Sequence, residues 1–544
     1  MNKYKSLRHI KRYRKIITTF SKYGLKNLAS FIKYFRLPKK ASTPLLMKES
    51  AINLRLALQE LGPTFIKGGQ LLSSRSDLLP NIAINELQKL LDEVMPVSFT
   101  DIRNRIEEEL NADINSIFNY IEEKPVASAS LAQVYKAQLK NGDVVALKIL
   151  RPGVNKIIST DTDIFQSFAS ILQDRFPYLK AYNLVELVRE FKKDLYKEMD
   201  FELEGHNASK MAENLKEFKF IRIPRIYWQY TTKNLLCLEF IEGVKISQLE
   251  ELQKVSFDRK KLASALLDVY SKQIYIDGFF QADPHIANIL INKNGFVYLI
   301  DFGSIGKLDE NMRKEISTLI FHFVSKDGEQ ATEIILRIGN QKPHTNYTAF
   351  RNDISSLIAD YASAPPKYLS IGKALLEITR ISSKHSVEIP AMFSQVAKAT
   401  LLLDYLTRKL DPDFDYYSYL IHLTPVLLYE NITSDYTPSR IARNVMESSK
   451  LISNLPAKIS YFIDKVLKDE FHVVFQHEGL EGISDTLKKS GYSIALSLVA
   501  LGFSFTSILS FLLGLYVIAI IFGTVSLLLL FYLLYQLLRN INWQ

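Results

Sequence analysis

Three side chains between residues 281 and 303 have the types and the spacing that phosphoryl transfer requires. Asp283 precedes Asn288 by five positions, and Asp301 follows a run of strand-forming residues and begins the sequence Asp-Phe-Gly. In this chemistry one carboxylate aligns or deprotonates the attacking group, while an amide and a second carboxylate hold Mg²⁺ against the phosphates of ATP. We therefore predict that Asp283 is catalytic and that Asn288 and Asp301 are metal ligands. The alternative is a loop whose carboxylates only cap turns and helices.

A predicted β-hairpin upstream supplies a lysine for the phosphates. Residues 132–139 and 144–150 have the composition of strands and flank Asn141-Gly142, a preferred two-residue turn. Lys148, in the second strand, occupies the position of the strand lysine of protein kinases, which contacts the α- and β-phosphates and pairs with a glutamate on a helix. The alternative for Lys148 is an exposed lysine on a strand.

The segment before this hairpin lies where a kinase has its glycine-rich phosphate loop. It consists of small residues, which let the backbone approach phosphate, but alanine cannot adopt the positive φ angles that glycine permits. We therefore expect a stiffer loop than that of an ordinary kinase. The residues predicted to bind nucleotide here are Ala127, Ser128, Ala129, Ser130, Leu131, Ala132, Gln133 and Val134.

A short helix further upstream is predicted to begin at Pro63, because proline fits the first position of a helix. Lys67 and Gln70 are three residues apart and share one face of it. The adjacent glycines Gly68 and Gly69 weaken the helix intrinsically and indicate close approach of another group. A plain helix-packing site is the alternative interpretation.

Another predicted helix is capped by Asn183 and extends to about Glu204. On it, Glu198 and Glu204 are about 120° apart and would face different partners, with solvated acids as the alternative. The following strand and connector, residues 235–243, lie where a kinase hinge offers backbone groups to adenine. We predict adenine contacts there at Glu239 and Ile241.

The distribution of charge matters more than the net charge of +10. Residues 1–40 contain thirteen Lys or Arg and no acid, whereas the rest of the chain is nearly balanced. Such a basic end predicts an anionic partner, either lipid or nucleic acid. The apolar residues between these charges favour an amphipathic helix on a membrane surface, with a solvated tail or a mitochondrial transit peptide as alternatives. The single cysteine, Cys237, excludes an internal disulfide.

The C-terminal region favours lipid over nucleic acid as this partner. Ser490–Leu538 contains 49 residues without a charge, enough for two membrane-spanning helices and a tight turn. Lys488, Lys489 and Arg539 flank this run and predict that both ends lie on the cytoplasmic side. The alternative is a very apolar pair of core helices. We expect anionic membrane lipids as a partner and no nucleic acid.

With these motifs in place, the sequence resembles the UbiB/ADCK (aarF-domain) family of atypical, protein-kinase-like proteins, and most of all bacterial UbiB. LGPTFIKGGQLLSSRSDLLP resembles the Lys-x-Gly-Gln motif of the family, VASASLAQVYKA its alanine-rich nucleotide loop and VALKILRPG its strand lysine segment. KEMDFELEGHNA resembles its Glu-x-Asp motif, and QADPHIANIL and LIDFG resemble its catalytic and metal motifs. Three departures occur: Ser128 and Ala132 in the loop, Ile286-Ala287 in place of Pro-Gly, and the additional Gly68.

The resemblance implies roles for several residues. Glu204 becomes the catalytic partner of Lys148, beside the catalytic Asp283. Lys67 and Gln70 become regulatory residues on a helix over the cleft, held there by Glu198 and Asp200. The implied cofactors are ATP or ADP and Mg²⁺.

The resemblance also implies an α+β, two-lobed, kinase-like fold with a helical N-terminal extension and a C-terminal pair of transmembrane helices. The predicted boundaries are 1–45 for the basic membrane-surface segment, 46–124 for the extension, 125–243 for the N-lobe, 244–489 for the helical C-lobe and connector, and 490–540 for the membrane helices.

The expected function is that of an atypical kinase or ATPase that supports ubiquinone biosynthesis at the bacterial inner membrane, with the kinase-like domain in the cytoplasm. The expected partners are quinone-biosynthesis proteins or lipid precursors. The alternatives are a protein kinase acting in trans and a non-catalytic scaffold that binds lipid or quinone precursors.

Overall fold

A computed structural model gives the fold of the chain. It describes residues 3–24, 44–73, 79, 81–90, 95–175, 184–246, 248, 258–341, 345–363, 365, 369–435 and 481–541. Residues 1–437 and 438–544 form two compact units. The first unit contains a helical extension, a lobe built on a β-sheet and a helical lobe, and the second contains two apolar helices. The α+β composition predicted from the sequence is therefore confirmed.

The extension consists of helices that precede the main sheet. They are α1 (Lys3–Lys22), α2 (Pro44–Leu61), α3 (Pro63–Ser73) and α4 (Asn81–Leu87). Pro63 opens α3, as predicted. Tight packing explains one of its two glycines, because a Cβ atom at Gly69 would lie 2.4 Å from Leu90 Cδ1 and 2.8 Å from Leu58 Cδ1. At Gly68 a Cβ atom would make only ordinary contacts.

The N-lobe is an antiparallel sheet of five strands in the order β1-β3-β4-β6, with β2 paired to β3. From residue 99 to 239 the elements in chain order are α5 (Phe99–Leu110), α6 (Ile114–Ile117), β1 (Phe118–Ile121), β2 (Ala127–Ser128), β3 (Ala132–Leu139), β4 (Val144–Leu150), α7 (Val154–Arg175), α8 (Leu184–Glu198), α9 (Phe201–Asn214), β5 (Ile221–Arg222) and β6 (Leu235–Glu239). Of these, β5 pairs with a strand of the C-lobe and not with the N-lobe sheet. Cys237 on β6 is buried in the core of this lobe, and its burial raises the pKa of the thiol to about 12.

The predicted bounds of β3 and β4 are confirmed, but the predicted two-residue turn is wrong. Leu139 and Asp143 close the loop, since the Leu139 amide donates to the Asp143 carbonyl at 2.9 Å. A two-residue turn of this kind needs positive φ at both central residues, and only Gly142 has it, at 91°. The loop is therefore Lys140–Gly142, a three-residue turn that ends in a left-handed glycine.

The single helix predicted to extend to Glu204 is also wrong, because α8 ends at Glu198 and α9 begins at Phe201. Asp200 causes the break: its carboxylate accepts a hydrogen bond from the Leu203 amide at 3.1 Å and so caps α9. Glu198 and Glu204 consequently lie on different helices. The predicted cap of α8, Asn183, lies outside the described residues.

Helix α1 is anchored to the N-lobe by a buried ion pair. Arg12 donates to both carboxylate oxygens of Asp161 on α7, at 2.6 and 2.7 Å, and Asp161 is fully buried. Ile16 and Thr19 are buried on the same side. The described part of the N-terminus is therefore not a solvated tail, and residues 25–43 lie outside the description. The outer face of α1 exposes Ile10, Lys11, Arg14, Lys15 and Ile17.

The C-lobe is mainly helical, and its described residues also form small sheets. It contains β7 (Gly243–Lys245), α10 (Arg259–Ser271), β8 (Phe279–Gln281), β9 (Ile289–Asn292), β10 (Val297–Leu299), β11 (Ile305–Lys307), α11 (Glu310–Val324), α12 (Gly328–Ile338), β12 (Asn340–Gln341), α13 (Tyr347–Ser363), α14 (Ile371–Lys384), β13 (Val387–Glu388), α15 (Ala391–Leu410) and α16 (Tyr416–Asp435). The sheets pair as β5-β10-β9-β7, β11-β8 and β12-β13. The hairpin β9–β10 leads directly from Asn288 to Asp301.

The second unit contains α17 (Glu481–Leu512) and α18 (Tyr516–Ile541), joined at Gly514, whose φ is +75°. Gly491–Leu512 and Tyr516–Leu533 are long and apolar enough to cross a membrane. Ser504 and Ser526 join the two helices by a hydroxyl hydrogen bond of 2.7 Å, and Ser526 also donates to the Ala500 carbonyl. Polar groups thus face each other while large apolar side chains point outward, as expected for a membrane hairpin.

Candidate active site

A partly buried ion pair joins the sheet of the N-lobe to helix α9. Lys148 on β4 donates to both carboxylate oxygens of Glu204, at 2.7 and 2.9 Å. Glu204 is 3% exposed. Burial opposes the charge of Lys148, but the carboxylates of Glu204 and Asp301 outweigh it, so the pKa of Lys148 lies above its ordinary value. The lysine is therefore held as an ammonium at the base of the cleft.

Asp301 lies two residues after the end of β10, beside this ion pair. Its Oδ2 accepts a hydrogen bond from Asn288 Nδ2 at 3.2 Å, and its Oδ1 accepts one from the Gly303 amide at 3.0 Å. Burial opposes the charge of Asp301, but Lys148 and these donors hold its pKa below the ordinary value. A Cβ atom at Gly303 would lie 3.4 Å from Asp301 Oδ1 and 3.7 Å from Glu204 Oε2. The predicted ligands Asn288 and Asp301 are thus brought together, close to Lys148.

Two amide side chains that the sequence analysis did not identify hold the Asp-Phe-Gly backbone in place. Asn207, three residues after Glu204 on α9, donates to the Phe302 carbonyl at 3.1 Å. Gln281 donates to the Asp301 carbonyl at 2.5 Å and accepts a hydrogen bond from the buried Tyr270 hydroxyl at 2.8 Å. The spacing of Asn207 and Glu204 places them on one helix face, but no signal in the sequence indicates that Asn207 reaches the Phe302 carbonyl.

Asp283 lies at the open end of the cleft and differs from the other carboxylates in its surroundings. It follows β8, and its side chain is 49% exposed. Its Oδ2 is 3.7 Å from the ammonium nitrogen of Lys398, on helix α15 of the C-lobe. A carboxylate at this position can accept a proton from the water or hydroxyl group that receives the phosphoryl group, as the sequence prediction requires.

The predicted phosphate loop is a tight turn clamped by an arginine. Ala127 and Ser128 form β2, and the Ala129 amide donates to the Ala132 carbonyl at 2.8 Å. Arg151 donates to the Ala129 carbonyl at 2.8 Å and to Ser128 Oγ at 2.7 Å, and also reaches the Met95 carbonyl at 3.0 Å. No residue from 127 to 134 has positive φ. The clamp and the backbone angles both agree with a stiff loop.

The nucleotide contacts predicted for this loop remain predictions. The structure buries four of the eight residues fully, and these are Ser130, Leu131, Ala132 and Gln133. The Gln133 side chain accepts a hydrogen bond from the Val97 amide at 3.1 Å and donates to the Tyr135 hydroxyl at 3.2 Å. Both the oxygen and the nitrogen of the Gln133 side chain are therefore hydrogen-bonded within the protein. Ala127, Ser128, Ala129 and Val134 are at least partly accessible.

Comparison with known proteins identifies the family of this chain. Residues 89–335 match the ABC1 atypical kinase-like domain, and residues 354–415 match the UbiB helical domain. The protein named "Probable protein kinase UbiB" of Marinobacter nauticus is 33% identical over 369 residues, 67% of this chain and 68% of that protein. The chain belongs to the ABC1/UbiB family of atypical kinase-like proteins.

Two further relatives extend this comparison. An uncharacterised protein of Clostridium pasteurianum, named for its position beside hydrogenase 1, is 30% identical over 528 residues, covering 96% of this chain and 99% of that protein. The Arabidopsis thaliana protein named "ACTIVITY OF BC1 COMPLEX KINASE 7, chloroplastic" is 32% identical over 370 residues, covering 68% of this chain and 53% of that protein.

In this ABC1/UbiB chain the helix with the Lys-x-Gly-Gln motif lies against the cleft. Lys67 on α3 forms an ion pair with Glu198 at the end of α8, and the Lys67 ammonium also contributes to lowering the pKa of Asp301. Asp200, the other acid predicted to hold this helix, instead caps α9 and lies 3.5 Å from Lys233. Gln70 donates to the Leu90 carbonyl at 3.2 Å, within the extension.

Of the predicted hinge residues, Glu239 is the last residue of strand β6 and Ile241 follows the strand. The Glu239 amide donates to the Arg225 carbonyl at 2.8 Å, and the Glu239 side chain accepts a hydrogen bond from the Arg225 amide at 3.2 Å. Ile241 lies in the connector to β7 and is partly buried. The adenine contacts predicted for Glu239 and Ile241 remain predictions.

The side chains of Asp301 and Asn288 suit Mg²⁺ because both offer hard oxygen ligands. Among the described residues, no group of three or more His, Cys, Asp or Glu side chains could hold a metal ion. Mg²⁺ is commonly held by one or two carboxylates together with substrate phosphates, so two protein ligands are sufficient here. When bound, the ion would neutralise negative charge on the phosphates.

Proposed function

We propose that this protein is a membrane-anchored atypical kinase or ATPase that binds Mg²⁺ and ATP or ADP and supports ubiquinone biosynthesis. The observation that carries the proposal is the charged cluster of partly buried Lys148 and Asp301 around the buried Glu204. An ion pair with a buried carboxylate is weak evidence for stability, because desolvation opposes it, and this favours a functional role. Its position beside Asp301 and Asn288 suits the binding of polyphosphate and Mg²⁺.

The residues of the cleft divide the chemistry between them. Lys148 would bind the α- and β-phosphates and is held in position by Glu204. Asp283 would orient the attacking water or hydroxyl group and accept its proton, while the bond from the γ-phosphorus to the bridging oxygen breaks and ADP leaves. The stiff loop clamped by Arg151 would cover the phosphates.

The proposed location is the bacterial inner membrane, with α17 and α18 spanning the bilayer and the kinase-like domain in the cytoplasm. The apolar lengths of these helices and the flanking Lys488, Lys489 and Arg539 support it. The exposed outer face of α1 adds a second contact with anionic lipids. The proposed partners are proteins or lipid precursors of quinone biosynthesis.

Asp301→Asn tests the nucleotide site in the full-length protein. The substitution removes a negative charge from the proposed metal site but keeps an oxygen that can accept the hydrogen bond from Gly303. We expect Mg·ATP to raise the melting temperature of the wild type and to have little effect on the variant. Asp360→Asn, an exposed substitution on α13, is the matched control and should retain the wild-type response.

Equal stabilisation of the wild type and the Asp301→Asn variant by Mg·ATP would disprove the metal assignment. The biological role is tested separately, by measuring quinones in a deletion strain that carries either form. Restoration of ubiquinone by the wild type and not by Asp301→Asn is expected. Labelled partner proteins after incubation of lysate with labelled ATP would instead support a protein kinase acting in trans.

A further inference from the structure

The helical domain contributes a lysine to the catalytic end of the kinase-like domain. Lys398 lies on α15, within residues 354–415 that match the UbiB helical domain, whereas Asp283 lies within the ABC1 match at 89–335. Their charged atoms are 3.7 Å apart. The catalytic end of the cleft is therefore formed by both domains.

The position of Lys398 on its helix singles it out. From Met392 to Thr400 every residue of α15 is buried or partly buried except Lys398, whose side chain is 48% exposed. This stretch includes Phe393, Val396 and Ala397 of the C-lobe core. A helix fixed in the core on its other sides thus presents one long cationic side chain beside Asp283.

The geometry of the pair leaves the ammonium able to bind another anion. A charge-assisted N–H···O hydrogen bond has a length of about 2.7–2.9 Å, so a separation of 3.7 Å is an ion pair without a hydrogen bond. Lysine carries three N–H donors on a flexible stem. Lys398 can therefore turn toward a phosphoryl oxygen without breaking a hydrogen bond to Asp283.

Two other lysines near the cleft have different assignments, since Lys148 is proposed to bind the α- and β-phosphates and Lys67 is paired with a carboxylate. Lys148 donates to both oxygens of Glu204, and Lys67 is paired with Glu198. In phosphoryl transfer, negative charge spreads over the three equatorial oxygens of the transferred group, and the attacking group lies between that phosphorus and the catalytic carboxylate. A cation beside Asp283 is consequently close to the transferred phosphoryl group.

We propose that Lys398 binds the terminal phosphoryl group of ATP and so makes the site discriminate ATP from ADP. The inference rests on the proposed function, because it assumes that the cleft holds Mg-nucleotide. The alternative is an ordinary exposed ion pair, which would contribute little to stability and nothing to nucleotide choice.

Lys398→Met in the full-length protein tests the inference, because methionine has a similar length and no charge. Dissociation constants are measured with Mg²⁺ for ADP and for a non-hydrolysable ATP analogue. We expect affinity for the ATP analogue to fall about tenfold, the size of one lost charge-assisted hydrogen bond, and affinity for ADP to stay unchanged. Lys398→Arg should restore most of the preference, since it retains the charge.

The control is Lys261→Met, which removes an exposed lysine paired with Asp258 at 3.9 Å on the neighbouring helix α10. It should leave both affinities unchanged. Repeating Lys398→Met in an Asp283→Asn background separates direct from indirect action. The loss of preference for the ATP analogue should persist there if Lys398 contacts phosphate.

Three outcomes would overturn the inference. If the wild type binds nucleotide and Lys398→Met keeps the wild-type preference, Lys398 is a surface residue and the proposed function survives. If the effect disappears in the Asp283→Asn background, Lys398 acts only through Asp283. If the wild type binds neither nucleotide with Mg²⁺, both the proposed function and this inference fail.

Discussion

The two ends of the cleft are built differently. At the closed end, Lys148, Glu204 and Asp301 are held by short hydrogen bonds, and Glu204 is almost completely buried. At the open end, Asp283 and Lys398 are about half exposed and 3.7 Å apart. A buried, hydrogen-bonded end can hold phosphates and a metal ion in a fixed geometry, whereas an exposed end admits an acceptor. The contrast indicates that rigidity is concentrated where charge must be neutralised.

The largest difference between the two ends should appear when each loses its lysine. Lys148→Met leaves Glu204 buried without its cation, next to Asp301, so we expect the free energy of unfolding to fall by about 3–5 kcal/mol. Lys398→Met removes only an exposed pair and should change it by less than about 1 kcal/mol. Denaturant unfolding of the full-length protein in detergent measures both. Equal, small losses would show that the closed end is as solvated as the open end.

A pH-dependent contribution should come from the helix that carries Lys398. Asp404 on α15 is buried and accepts hydrogen bonds from Ser370 Oγ at 2.6 Å and the Gly372 amide at 3.0 Å, at the start of α14. Burial raises its pKa to about 6, although these hydrogen bonds oppose the shift. Because the folded state binds the proton more tightly than the unfolded state, this group stabilises the fold less as pH rises from about 4 through 6.

Asp404→Asn removes this titration while keeping an oxygen for both donors. A shift from the ordinary value of 3.8 to about 6 corresponds to about 3 kcal/mol. The variant should therefore gain up to about that much stability over the wild type at pH 7.5 and match it at pH 4. Thermal melts of the two proteins across this range give the difference. A difference that does not vary with pH would mean that Asp404 stays ionised throughout.

Much of the closed end could be predicted from the sequence because its signals are local. The composition of the segments on either side of Asn141-Gly142 predicted the strand that carries Lys148. The spacing of Asn288 and Asp301 predicted that both serve one site, and the structure joins their side chains by a hydrogen bond. Their roles as metal ligands remain predictions. The wrong prediction of one helix through Glu204 had a local cause as well. Asp200 can act as a helix cap, and it was considered only as a partner for Lys67.

The open end and the clamps could not be predicted, because they depend on contacts between distant parts of the chain. Asn207 reaches a carbonyl 95 residues away, and Arg151 reaches one 22 residues away. Lys398 meets Asp283 only because the helical domain packs beside β11, the partner of β8. No periodicity in the sequence encodes which exposed lysine of a helix will face another domain.

Substitution of Lys67 tests whether this residue controls the entry of protein substrates into the cleft. In that role, which we call a latch, Lys67 pairs with Glu198 and excludes protein substrates. Lys67→Arg keeps the charge but changes the donor geometry. We expect this variant to fold with a stability within about 1 kcal/mol of the wild type, to bind nucleotide, and to fail to restore quinone production in a deletion strain. ATP turnover should also change. Full restoration at native expression level would make Lys67 an ordinary surface cation.

The smallest expected effect concerns the predicted phosphate loop, where two restraints can be separated. Alanine at position 129 limits the backbone angles, and Arg151 binds the carbonyl of the same residue. Ala129→Gly removes the first restraint and leaves the arginine in place, whereas Arg151→Lys removes the planar fork that reaches three acceptors and leaves the alanine. Each exposed hydrogen bond contributes about 1 kcal/mol, so either change alone should alter the ratio of ATP to ADP affinity by no more than about fivefold. The double variant should show a larger change, because both restraints act on the same loop.

Incubation with labelled ATP would reveal any self-phosphorylation that the looser loop permits. If all three variants keep the wild-type affinities and incorporate no label, the loop does not touch phosphate. Lys148 would then be the part of the N-lobe that contacts the nucleotide phosphates.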